Sequence, residues 1–208
     1  MASSDSWSLI HTERRALAAD LEQLSDEQWA SQSLCAQWSV HEVLGHMVAT
    51  AKMTQPRFIA GLASAGFRFN SFNAAGVAHE TAGPPRETLG HFKAHLDSTN
   101  HPPGPITAMV GEAVLHSEDI RHPLGIRREY PLATLVTVVE FYKGSNLLLG
   151  TKNRIAGLTL RAADSDWSTG SGPEVAGPMI SLLLAMTGRP AGLADLSGDG
   201  VATLRSRG

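Results

Sequence analysis

The sequence predicts a mainly α-helical protein: a helical bundle through about residue 150, followed by a small mixed α/β tail. Three observations predict it. Apolar residues recur at helical spacing in segment after segment up to Gly150, and beyond Gly150 the pattern shifts to strand-like alternation. The 208 residues are 42% hydrophobic and 18% charged, a balance that fits a globular chain able to bury a sizeable core. The expected division is 1–150 for the bundle and 151–208 for the tail. A tail of that size rarely stabilises itself, so it is expected to pack on the bundle and leave a groove suited to a ligand.

The elements follow in order. Residues 6–24 read as a helix, with Ile10, Leu17, Leu21 and Leu24 on one face and charges between them. Ser25-Asp-Glu-Gln28 fits a capping box, and Ser39-Val-His-Glu42 fits a second. From there Val40, Val43, Leu44, Met47 and Ala51 sustain a helix into the 60s, with a possible kink at Pro56. Residues 66–83, rich in Gly, Asn and Ala, receive no assignment. Pro84-Pro85 opens a third helix at 86–98, with Leu89, Phe92 and Leu96 inward. His101 to Pro105 is a loop, and Ile106 to His122 a fourth helix stopped by Pro123 and Gly125. Pro131 starts a fifth, with Leu132, Leu135, Val139 and Tyr142 on one face, closing near Gly150. In the tail, Gly157 to Ala163 alternates as a half-buried strand, and Asp164 to Gly170 supplies a turn. Met179 to Met186 is a short apolar helix ended by Gly188, and Val201 to Leu204 is read as a closing strand.

Charge and cysteine content narrow the function classes. Seventeen basic against 20 acidic residues give a net charge of −3, which argues against a nucleic-acid partner. No apolar run approaches the ~18 residues of a membrane span. Met1 to Ser8 lacks the basic and apolar segments of a secretory signal. Cys35, the single cysteine, excludes a disulfide scaffold and a cysteine-based zinc cluster, and it reads as a packed, inert thiol. The expected address is cytoplasmic.

Nine histidines are the unusual entry in the composition. His41-Glu-Val-Leu-Gly-His46 approaches a zincin motif, but a spacing of five turns the two rings about 140° apart on an ideal helix. Glu112-Ala-Val-Leu-His116 has the spacing of four that puts both side chains on one face. It reads either as an ordinary side-chain pair or as two ligands converging on one cation. His46 lies at the edge of the apolar face formed by Val43, Leu44 and Met47, so it points inward. There it is either a core histidine bonded to a carbonyl or a third ligand. Together His46, Glu112 and His116 make a two-histidine, one-carboxylate set with an open position, the form of a catalytic zinc site. His91 and His95 are the rival pair, on a helix flank without a third ligand. His79 and His101 lie in or near loops, and His11 and His122 read as surface residues.

Trp38-Ser-Val-His-Glu-Val-Leu-Gly-His46 and Gly111-Glu-Ala-Val-Leu-His116-Ser-Glu-Asp-Ile-Arg-His-Pro-Leu-Gly125 together resemble the mycothiol-dependent maleylpyruvate isomerase family. That family is part of the DinB-like group of metal-binding four-helix proteins. Leu160 to Trp167 and Gly172 to Pro178, running on through Gly188-Arg189-Pro190, are similar to the family's small C-terminal domain. The resemblance implies a DinB-like four-helix bundle holding a divalent metal, typically zinc, on His46, Glu112 and His116. It also implies mycothiol, a low-molecular-weight thiol, as cosubstrate and a small electrophile as substrate. Zinc would lower the pKa of the bound thiol and hold it near the electrophile, giving transfer or cis–trans isomerisation. Asp119 is a candidate for orienting a bound ligand or cofactor, against a solvated surface aspartate. Arg189 is the candidate catalytic residue for a substrate carboxylate, against a plain surface arginine. The competing function class is a non-catalytic metal- or small-molecule-binding bundle, a sensor or storage module. A purely structural interaction protein would leave the triad without a use.

Overall fold

The computed structural model describes residues 3–147 and 149–208. Met1 and Ala2, part of the Met1–Ser8 segment read above, and Leu148 lie outside the described residues. The chain divides into two compact units, Met1–Arg128 and Glu129–Gly208.

In the first unit, α1 (Ser3–Asp20) runs into a single 3₁₀ turn, Leu21–Gln23. Helices α2 (Asp26–Ala30) and α3 (Val40–Ala51) both open with the expected capping boxes. Ser25 Oγ accepts from the Gln28 amide and Ser39 Oγ from the Glu42 amide, while each third residue's side chain accepts from the serine amide in return. A cap of this kind contributes about 1 kcal/mol. Pro56 does not kink a long helix. Helix α3 ends at Ala51, and Pro56 sits in the first turn of α4 (Gln55–Ser64), where a missing N–H has no intrahelical carbonyl to leave unpaired. The unassigned 66–83 region contains α5 (Phe69–Glu80), which lies against α3 at Gly45. A β-carbon on Gly45 would stand 2.5 Å from Thr81 Cγ2, so only glycine permits this approach. Helices α6 (Pro85–Lys93) and α7 (Ile106–Arg121) complete the unit. Contacts between α1 and α7, α7 and α3, α3 and α6, and α6 and α1 close a four-helix bundle. Its core holds Leu17, Leu21, Val43, Leu44, Met47 and Phe92, all essentially inaccessible. Fully buried Arg121 ties α7 to α1 by pairing with Glu13 and, at 2.7 Å, with Asp20.

The second unit begins at Glu129. Helix α8 (Leu132–Lys143), which the sequence pattern assigns to the bundle, packs on the apolar helix α10 (Met179–Met186). Periodicity identifies the buried face of α8 but carries no information about its partner. A short α9 (Thr151–Arg154) leads into strands β1 (Thr159–Ala162), β2 (Ser168–Gly170) and β3 (Glu174–Gly177). The sheet order is β2-β1-β3, antiparallel on the β2 side and parallel on the β3 side, so the alternating pattern was read correctly. Trp167 Nε1 donates to Glu140 Oε1 at 2.8 Å, pinning the hairpin to α8. The expected closing strand at Val201–Leu204 is instead part of helix α11 (Val201–Arg205). Ser197 already bridges the outer edge of β3 at Ala176, and the Gly200 amide donates to the Glu174 carbonyl, so the chain turns before it can extend the sheet.

Candidate metal centre

Two bundle helices supply the candidate ligands. Val43, Leu44 and Met47 anchor α3 in the core and set the rotation that turns His46 toward α7. On α7, Met109, Ala113 and Leu115 are buried, and Glu112 and His116 share one face a turn apart. The rings of His46 and His116 meet edge to face with centroids 4.8 Å apart. Trp38 stacks on the other side of His46 at 4.9 Å. His116 Nδ1 donates to Asp119 Oδ2 at 2.9 Å, which leaves Nε2 as the ring nitrogen available to a ligand.

Both carboxylate oxygens of Glu112 are buried and accept no hydrogen bond. Burial drives the Glu112 pKa upward, and Arg14 and then His116 oppose the rise. Arg14, 1% exposed, donates through Nη1 to the Ser98 carbonyl, and its Nη2 is buried without a partner. A buried, unsatisfied carboxylate is expensive unless something positive completes its environment. Burial first, then the neighbouring His116, pushes the His46 pKa down to about 3, with Asp119 opposing. His46 is therefore neutral at ordinary pH, with a lone pair to donate. Two imidazoles and one carboxylate are a donor set that fits a divalent ion such as zinc.

A second cluster shares His116. The ligand atoms of Cys35, His116 and Asp119 lie within 4.8 Å of one another. Cys35 Sγ donates to Asp119 Oδ2 at 3.0 Å and stands 4.0 Å from His116 Nδ1. These three groups satisfy each other by hydrogen bonding. Glu112 accepts no hydrogen bond, but among the described residues it does not close with His46 and His116 within that distance; Cys35, His116 and Asp119 are the three that do. The bonded carboxylate–histidine pair then orients the His116 ring from behind.

The remaining sequence candidates disperse. His41 bonds Thr88 Oγ1 at 2.8 Å, well away from a zincin arrangement. His91 faces Glu80 at 3.3 Å, whereas His95 Nδ1 donates to the His91 carbonyl, so the rival pair does not converge. His11 is not a surface residue; it is 17% exposed and stacks on Trp7. Asp119 is fully buried rather than solvated. Arg189, in the second unit, is 7% exposed, and its Nη1 donates to the Thr187 carbonyl, so it is not a plain surface arginine. Sequence reasoning missed Arg14, Trp38 and the Cys35–Asp119 bond. Arg14 counted as one of the charges between apolar positions of α1, and nothing in the local pattern marks it as buried. Trp38 was available as an aromatic residue next to a helix cap.

Residues 10–101 match the mycothiol maleylpyruvate isomerase N-terminal domain. The match takes in the first of the two sequence motifs, Trp38 to His46, and ends before the second. The matched segment runs from α1 past α6, so it takes in Cys35, Trp38 and His46 and stops before α7. Two solved structures have the same fold. One is a histidine-to-alanine mutant of the mycothiol-dependent maleylpyruvate isomerase, with a TM-score of 0.68. The other is the mycothiol-dependent maleylpyruvate isomerase itself, with a TM-score of 0.63. Each is 13% identical to this chain, over 96% of this chain and 93% of the other. No curated protein matches the sequence.

Proposed function

We propose that this protein is a metal-dependent enzyme that uses a low-molecular-weight thiol, mycothiol, on a small electrophilic substrate. The reaction ends either in a thioether or, after bond rotation and loss of the thiol, in a cis–trans isomer. The observation that carries the reading is the Glu112 carboxylate, buried without a hydrogen bond one turn from His116, whose ring meets the buried ring of His46. His46, Glu112 and His116 would hold the ion, with zinc the best match to these donors. An ion held there would supply the positive charge that favours the thiolate form of a bound thiol near neutral pH. Asp119 keeps the His116 Nδ1 proton and so fixes which nitrogen faces the site. Trp38 covers one face of His46 and shields it from water. The Cys35 thiol is engaged with Asp119, so the reacting sulfur comes from the cosubstrate rather than from the chain. Arg189 is the proposed holder of a substrate carboxylate.

The test is thiol consumption by the zinc-loaded protein in the presence of an electrophilic acceptor. Metal-dependent consumption that disappears in His116→Ala supports the reading. Tight metal binding with no consumption of thiol across a panel of acceptors would leave the sensor or storage module standing instead.

A further inference from the structure

The α4–α5 hairpin is the least conventional part of the first unit. From Gln55 to Gly76 not one residue is buried, although the segment holds four of the chain's six phenylalanines. Helix α4 packs chiefly on α5, and Phe58, Phe69 and Phe72 close on one another with ring centroids 5.4–6.5 Å apart. Ile59, Phe67 and Phe69 remain 63%, 76% and 47% exposed. Phe67 sits at the turn with φ of +60°, the one non-glycine residue at positive φ among those described. A bulky side chain held in that region and turned to solvent is costly on both counts.

Charge on this element has a single sign. No acidic residue occurs between Glu42 and Glu80, whereas Arg57 and Arg68 flank the exposed aromatic residues. Both arginines are exposed, and neither has an acidic partner among the described residues. The hairpin therefore carries positive charge on a chain whose net charge is −3. An occupant must be anionic and must accept aromatic side chains. A second copy of the chain does not meet that requirement through this face. An isologous contact would set the arginines of one hairpin against those of the other, with no acid on the element to relieve them.

We propose that the α4–α5 hairpin is an interfacial anchor that docks on an anionic lipid surface. Phe67, Phe69 and Ile59 enter the headgroup boundary, and Arg57 and Arg68 meet lipid phosphates. Aromatic residues at headgroup level beside cationic side chains are the physical pattern of such anchors. No described helix is long and apolar enough to cross a membrane, so the contact is peripheral and reversible.

Co-sedimentation of the full chain with vesicles tests this. Equimolar phosphatidylglycerol and phosphatidylcholine vesicles should retain the protein, and pure phosphatidylcholine vesicles should bind it at least about tenfold more weakly. Retention should fall with salt, since the attraction is screened. Arg57→Gln with Arg68→Gln, and separately Phe67→Ser with Phe69→Ser, should each weaken retention about tenfold or more. Arg57, Arg68 and Phe67 project to solvent, so circular dichroism should match the parent, and any fall in melting temperature should be confined to the variant that removes Phe69 from its contacts with Phe58 and Phe72. The proposal is overturned by absence of binding to anionic vesicles, by equal binding to neutral ones, or by retention unchanged in both double variants. It is likewise overturned if light scattering shows a dimer that Phe67→Ser with Phe69→Ser dissociates, because the face then belongs to a second copy.

Discussion

Replacing His46 by Asn should flatten the acid dependence of stability in the metal-free protein. The native His46 pKa is about 3, lowered chiefly by burial and then by His116. The unfolded value is near 6.5. Between those limits the unfolded chain takes up a proton that the native protein refuses, so falling pH favours unfolding. The penalty is absent above the unfolded pKa, grows as pH falls toward the folded one, and stops growing below it. Its ceiling is about 1.4 kcal/mol per pH unit, or roughly 3 kcal/mol by pH 4. Urea denaturation in EDTA at successive pH values from 7 to 4 measures it for both proteins. Asparagine does not titrate, so the parent should lose stability relative to His46→Asn as the solution is acidified. Parallel pH profiles would mean that burial does not hold His46 neutral, and the donor geometry derived above would fail with it.

The other expectations concern the ligands and their supports. His116→Ala should lose zinc and thiol-consuming activity together, read by metal analysis and a thiol assay, because two remaining ligands rarely retain zinc against buffer. Asp119→Asn should fold but bind zinc about 10–100-fold more weakly in a competition titration, since the partner that orients His116 is altered. Cys35→Ala should still consume thiol when zinc-loaded, and abolition of consumption would assign the reacting sulfur to the chain itself. Arg189→Ala should keep its zinc and lose about 1.5–3 kcal/mol in kcat/KM toward carboxylate-bearing acceptors, with little change toward acceptors lacking one.

What the sequence reveals and what it hides divide along physical lines. Local chemistry reads well. The Ser25 and Ser39 capping boxes, the limits of α7 and the apolar run Met179–Met186 all rest on short-range rules, and the structure has them where the pattern put them. Glu112 and His116 were legible for the same reason, since an interval of four on one helix fixes a shared face. Long-range partnership is hidden. Helix α8 shows its apolar face in sequence, but only the fold reveals α10 as its partner. Arg14 and Asp119 look solvated in sequence because charge usually is, and both are buried against residues about 80–100 positions away or on a neighbouring turn. Val201–Leu204 was too short for periodicity to separate helix from strand. The helix α5 was obscured by a run of Gly, Asn and Ala that carries little pattern of either period.

X-ray absorption at the zinc edge of the loaded protein, without added thiol, bears most directly on the donor set. His46, Glu112 and His116 require nitrogen and oxygen neighbours at about 2.0–2.2 Å, with the outer-shell scattering of imidazole. They provide no sulfur. A shell at about 2.3 Å would place zinc on Cys35 with His116 and Asp119, contradicting the assignment of Glu112 as the carboxylate that awaits the ion.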